Sequence, residues 1–197
     1  MIDIGTYTGT EGLEKLLQEV CAVLRNKKKA VVAIAGLPGA GKTCMVKRFV
    51  RMGFGNFGRK DILVIDDNTI YSTRFWRLKW EKIQLEKKSS ESFLNLSDAK
   101  IVFFSNWIPS RFLKCADIYV ILKLSEQKRI AALKKREKKN SEKFLAHKAK
   151  NIIPLEKPFA CPTIMTLVTH SRGIYRWHGI WAIRRFFSSL MQSIQIP

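Results

Sequence analysis

Cysteine pairs, clustered histidines, long apolar runs and acidic residues are all scarce in this chain. The four cysteines, Cys21, Cys44, Cys115 and Cys161, stand far apart with no C-x-x-C spacing. That argues against a disulfide framework or a zinc site and leaves buried free thiols as the expectation. His147, His170 and His178 fall at no metal-ligand spacing, so no zinc is expected. No run approaches the roughly 18 to 20 apolar residues of a spanning helix. The opening MIDIGTYTGTEGLEKLL lacks the basic, apolar and small-residue succession of a secretory leader, and a cytoplasmic setting is the expectation. Asp and Glu number 16 against 36 Lys and Arg, a net charge of +20 over 197 residues. Such a field favours polyanionic partners: nucleic acid, nucleotide phosphates or an anionic membrane surface. With 46% hydrophobic residues, the chain is too apolar to be disordered, and its length suits one domain with an appendage.

Hydrophobic patterning divides it further. Leu13, Leu16, Leu17, Val20, Val23 and Leu24 recur at helical spacing behind Thr8 and Glu11, which read as a capping box, so residues 1–29 are expected to hold an amphipathic helix. AVVAIAG, Ala30 to Gly36, is a continuous β-branched apolar run of the kind buried in parallel sheets. GKTCMVKRFVRM reads as a helix broken by the glycines of GFGNFG, and DILVIDD, Asp61 to Asp67, as a second strand. A Lys-rich helical region is expected over Thr73 to Ser97. KIVFFSN, DIYVILKL and PTIMTLVTH read as further strands, and SEQKRIAALKKREKK as a helix capped by Ser125. Strands alternating with helices predict an α/β domain over 30–170, three-layered, with a mainly parallel sheet and flanking helices. From Lys123 to Lys150, eleven Lys or Arg face Glu126, Glu137 and Glu142, a basic stretch near 125–150. Residues 171–197 place Trp177, Trp181, Phe186 and Phe187 among Arg172, Arg176, Arg184 and Arg185. A helix there either covers the sheet or lies on a membrane, a nucleic acid or a partner.

One motif carries chemistry. Gly36-Leu37-Pro38-Gly39-Ala40-Gly41-Lys42-Thr43 matches G-x-x-x-x-G-K-[ST] in full, after an apolar strand and opening a helix. Glycines let a backbone wrap a phosphate chain with its N–H groups inward, and the helix N-terminus adds positive potential. Gly36, Gly39, Ala40 and Gly41 are expected to form the cradle, Lys42 to bridge the β- and γ-phosphates, and Thr43 to offer its hydroxyl to Mg²⁺. Asp66 and Asp67 are carried by Ile62 to Ile65 to the C-terminal edge of the sheet, where such sheets bind ligands. One carboxylate, Asp66, is expected to support magnesium, and the other, Asp67, to take a proton from a nucleophile or orient it. Arg74, Trp76, Arg77 and Trp80 follow at spacings that put cations and stacking faces on an expected helix beside the site, or tryptophans in the core.

On these residues the chain resembles the P-loop nucleoside triphosphatase superfamily over roughly residues 30 to 150. The resemblance implies ATP or GTP with Mg²⁺. Between Lys42 and Asp66 there is room for one helix and a turn but no additional strand, a spacing similar to small-molecule and polynucleotide kinases. In that branch the acidic residue serves as base for the accepting hydroxyl. ADIYVILKLSEQKRIAALKKR resembles the strand and lid helix of those kinases, which implies that Arg129 and Arg136 clamp the transferred phosphoryl group. An alternative stays open: Ser105-Asn106 after the third strand looks like the polar sensor of nucleic-acid motor ATPases of viral packaging or helicase type, with Asn106 at the γ-phosphate and the host cytoplasm as setting. DDNTIYSTRFW is also loosely similar to filamentous-phage assembly ATPases. A third is a nucleotide-binding regulatory protein held at a membrane surface by 171–197.

Overall fold

The computed structural model describes residues 2–74, 77–82, 94, 98–136 and 161–169, without the side chains of 73, 74, 77–80 and 136. The strands are β1 (Ile2–Thr8), β2 (Ala30–Ala35), β3 (Ile62–Asp66), β4 (Thr69–Arg74), β5 (Arg77–Lys82), β6 (Ile101–Ser105), β7 (Ile118–Lys123) and β8 (Thr163–Val168). Helix α1 covers Gly9–Asn26, α2 Lys42–Met52 and α3 Glu126–Arg136. The strands form one sheet in the order β1-β8-β7-β2-β6-β3-β4-β5. It is parallel from β1 to β3 and antiparallel at β3–β4 and β4–β5. The expected α/β class with a mostly parallel sheet is therefore observed.

The sheet is buried from both sides, which is why β2, β3 and β6 read as unbroken apolar runs. On one face Val32, Ile34, Ile62, Val64, Ile101 and Phe103 pack under α1 and α2, whose Leu16, Val20, Val46 and Phe49 close the cluster. Phe49, Phe54 and Phe103 meet at ring separations of 4.7 to 5.5 Å. On the other face Ala33, Ala35, Leu63, Ile65, Val102 and Phe104 pack with Leu113, Ala116 and Cys161. The connection after β2 thus crosses one face and the connection after β6 the other. Their loops diverge from adjacent strands, and this is the topological switch point at which α/β sheets open a crevice.

Four expectations need correction. Residues 1–29 are more than a helix: β1 pairs in parallel with β8 at the sheet edge. Its polar, glycine-containing IDIGTYT carries no apolar run to betray it. Thr8 is the N-cap of α1, but its side chain makes no capping hydrogen bond. Residues 69–82 are an antiparallel hairpin and not the start of a helix. Asp67 and Asn68 turn the chain so that the β-branched and aromatic TIYST continues the free edge of β3. Of the rest of that expected helix, Leu94 is helical, and 83–93 and 95–97 lie outside the described residues. Finally, only Cys161 is buried; Cys21 is half-buried, and Cys44 and Cys115 are exposed. The expected helix at 171–197 and all three histidines lie outside the described residues.

Among the described residues no helix is long and apolar enough to cross a membrane. Phe103→Ala should cost about 3–5 kcal/mol in urea unfolding, because it empties the centre of the three-ring cluster, whereas Met52→Ala, at a side chain 49% exposed, should stay within about 0.5 kcal/mol. Burial pushes the Cys161 and Cys21 thiols up, and only the thiolate attacks. Alkylation at neutral pH followed by mass spectrometry should therefore label Cys44 and Cys115 first, with Cys161 following only on unfolding or at alkaline pH.

Candidate functional site

Three strand ends meet at the switch point. The backbone N–H of Asn106 donates to Ile34 O (3.1 Å) and that of Asp67 to Ser105 O (3.0 Å), locking the ends of β2, β6 and β3 side by side. From β2 the chain enters the glycine loop, residues 36–41, and α2 starts at Lys42. Gly36, Gly39 and Gly41 all have positive φ. At Gly36 a Cβ would come within 2.6 Å of Leu122 O, so the close approach to β7 demands glycine. At Gly39, φ +85°, a Cβ would come within 2.9 Å of Leu133 Cγ and 3.0 Å of Arg129 O. Helix α3 is thus seated directly on the loop. Ala40 is buried in the first core cluster, and its N–H donates to Leu37 O (3.1 Å).

Lys42 bends back over this loop. Its Nζ donates to Gly36 O (2.6 Å) and lies 3.4 Å from Leu37 O. The first N–H groups of α2 have no intrahelical acceptor, as at any helix start. Together with the ammonium they make the loop rim a place for negative charge. Thr43 Oγ1 donates to Asp66 Oδ1 (3.3 Å), and Ser105 Oγ, fully buried, donates to the same oxygen (2.8 Å). Asp67 occupies the left-handed turn position with φ 49° and is exposed. Asn106 Nδ2 donates to Asp67 Oδ1 (3.2 Å), while Asn106 Oδ1 accepts the N–H of Ile108 (3.0 Å).

Of the two arginines expected on the basic helix, Arg129 lies against the loop, its Nη1 3.5 Å from Pro38 O. Its side chain is only 11% exposed, and Glu126, 74% exposed, approaches it at 4.0 Å. Leu133, one turn further along α3, is buried. Arg136 closes α3 and falls on the same helical stripe by spacing; its side chain lies outside the described residues. The basic helix is therefore docked through one stripe. Beyond Arg136, residues 137–150 of the basic stretch lie outside the described residues.

Arg74 and Arg77 are not beside the site. They face each other at the far end of the β4–β5 hairpin, whose near end pairs Thr69 with Asp66, roughly 17 Å away at strand rise. Trp80 is in register with Tyr71, and Trp76 lies outside the described residues. Patterning missed Ser105 as a partner of Asp66, and it missed Thr169, whose hydroxyl reaches Ala40 O (3.3 Å) and Lys123 O (3.2 Å). It also missed Leu133 as the seat of α3. Only Ser105 carried a signal, a lone hydroxyl closing an apolar run.

No protein-family model and no curated protein matches the chain. What the site can do follows from its chemistry alone. An anion-receptive loop sits beside a buried carboxylate, an exposed carboxylate and a guanidinium. Thr43 and Asp66 offer hard oxygens, the donor type that suits Mg²⁺ and not soft metals. Gly39→Ala should lower stability by at least about 1–2 kcal/mol from the left-handed backbone alone. The clash with α3 adds to this, so the double variant with Leu133→Ala should be less destabilised than the sum of the two singles, a coupling measurable by a double-mutant cycle in urea.

Proposed function

We propose that the protein has a P-loop-type fold, binds ATP or GTP with Mg²⁺, and transfers the γ-phosphoryl group to a hydroxyl of a nucleoside, nucleotide or nucleic-acid end. The observation that carries this reading is that the glycine loop and the first turn of α2 together touch both kinds of group the reaction needs: Thr43 of α2 meets Asp66, and Pro38 of the loop meets Arg129.

The loop N–H groups and Lys42 hold the phosphate chain, with Lys42 exchanging its carbonyl partners at Gly36 and Leu37 for phosphate oxygens. Thr43 and Asp66 would hold Mg²⁺, which when bound neutralises charge on the phosphates. Asp67, exposed and aimed by Asn106, accepts the proton of the attacking hydroxyl as the new oxygen–phosphorus bond forms and the bond to the leaving diphosphate breaks. Arg129 offsets the negative charge on the transferred group, and Arg136 supports it from the same stripe. The net charge of +20 draws in an anionic acceptor.

A second reading is a nucleic-acid-dependent motor ATPase, in which water takes the acceptor's place. The observation favouring it is Asn106 at the tip of β6, the strand lying between β2 and β3 in the sheet. A nucleotide-binding regulatory protein held at a membrane would depend on residues 171–197, outside the described residues.

γ-Labelled ATP and GTP with Mg²⁺, incubated with nucleosides, single-stranded DNA, duplex DNA or RNA, separates these readings. Label on an acceptor is the expected result; free phosphate that rises only with nucleic acid would favour the motor. Lys42→Ala should reduce either signal by at least about 100-fold, and EDTA should abolish it.

A further inference from the structure

The end of β6 holds two consecutive polar residues, and each grips one of two consecutive carboxylates at the end of β3. The pairing follows from register: β3 and β6 run in parallel with Asp66 opposite Ser105. Ser105 ends β6 and Asn106 follows it, as Asp66 ends β3 and Asp67 follows it, and each polar side chain meets a different acid.

The two grips differ. Ser105 is fully buried, and a hydroxyl there needs an acceptor. It donates to Asp66 Oδ1 at 2.8 Å, and Thr43 donates to the same atom. Asp66 is itself buried, where an unsupported carboxylate is costly. Both hydrogen bonds set the carboxylate rotamer through one oxygen. Asn106 is held at three points: its N–H on Ile34 O, its Oδ1 on the Ile108 N–H, and its Nδ2 on Asp67 Oδ1. The Ile108 contact decides which end of the amide faces Asp67. Asp67 is exposed, in a left-handed conformation that a non-glycine residue adopts at a cost. Its backbone is fixed on Ser105 O, and its carboxylate accepts from Asn106 while the residue stays exposed to solvent.

We infer that Ser105 and Asn106 are positioning residues that act as a clamp, Ser105 fixing Asp66 as a cation ligand and Asn106 fixing Asp67 to receive the proton of the attacking group. This rests on the phosphoryl-transfer reading and assigns separate tasks within that site. A serine suits the buried partner because its hydroxyl reaches Asp66 Oδ1 directly from the end of the neighbouring strand. An asparagine suits the exposed one because it donates and accepts at once.

The test uses Mn²⁺ as probe, followed by electron paramagnetic resonance with the full-length protein and ATP, beside ATP binding in EDTA and γ-phosphate transfer to water. Ser105→Ala should weaken Mn²⁺ binding by about 10- to 100-fold and leave ATP binding in EDTA at the wild-type value. Ser105→Thr, which keeps the hydroxyl, should restore Mn²⁺ affinity. Asn106→Ala should keep wild-type Mn²⁺ binding and lower kcat for transfer to water by ~100-fold with KM for ATP unchanged. Should Ser105→Ala not fold, the Asn106 and Ser105→Thr variants still decide. The clamp is overturned if Ser105→Ala binds Mn²⁺ as the wild type does, if Asn106→Ala weakens Mn²⁺, or if both variants move both readouts alike. A wild-type protein that binds no Mn²⁺ with ATP overturns the phosphoryl-transfer reading and the clamp with it.

Discussion

Everything at the candidate site depends on the burial of a parallel sheet on both faces. Between Ala30 and Ala35, Ile62 and Ile65, and Ile101 and Phe104, every side chain is apolar, since neither face offers water. Polar chemistry is expelled to the strand ends. The first polar residues after these runs are Asp66 and Ser105, and they satisfy each other. Parallel register then makes the expulsion constructive, because strand ends that share a direction also share an edge. The loops after β2 and β6 leave that edge toward opposite faces, and a crevice opens where they part.

The glycine loop is held from several directions. Gly36 is pressed toward β7 at Leu122, Gly39 lies under α3 at Leu133 and Arg129, and Thr169 beyond β8 reaches Ala40. Strands β7 and β8 and helix α3 thus converge on residues 36–41 without containing any of the motif. A loop packed this way is held in one conformation by its neighbours. Stability and site geometry are coupled here: a substitution that eases the packing of α3 also moves Arg129.

Much of this was legible in the amino-acid order, and the exceptions are instructive. The runs at β2, β3 and β6 were plain because they are continuous apolar segments, and β7 and β8, which include polar residues, were legible from their β-branched content. The glycine motif was plain because its residue types and spacing meet a geometric demand. β1 was hidden, since an edge strand keeps polar residues exposed and IDIGTYT shows no run. The β4–β5 hairpin was hidden by lysines further along the chain that suggested a helix. Its signal was the β-branched TIYST after an Asp–Asn turn, and what decided it was the free edge of β3. Lys47 over the Tyr71 ring, at 4.8 Å, shows the hairpin also engaging α2.

The order of residues by itself determined which segments are buried strands, where the glycine loop lies, and that two carboxylates stand at a strand end. These are local matters of periodicity and backbone freedom. Which partner each carboxylate has, whether the basic helix touches the loop, and where the tryptophans and arginines after Asp67 are carried were decided only in three dimensions. Ser105 and Asp66 are 39 residues apart, as are Asn106 and Asp67, and Arg129 is 91 from Pro38. Contacts of that separation are set by strand order and register, which arise from the joint packing of the whole sheet and leave no mark in any single stretch of sequence.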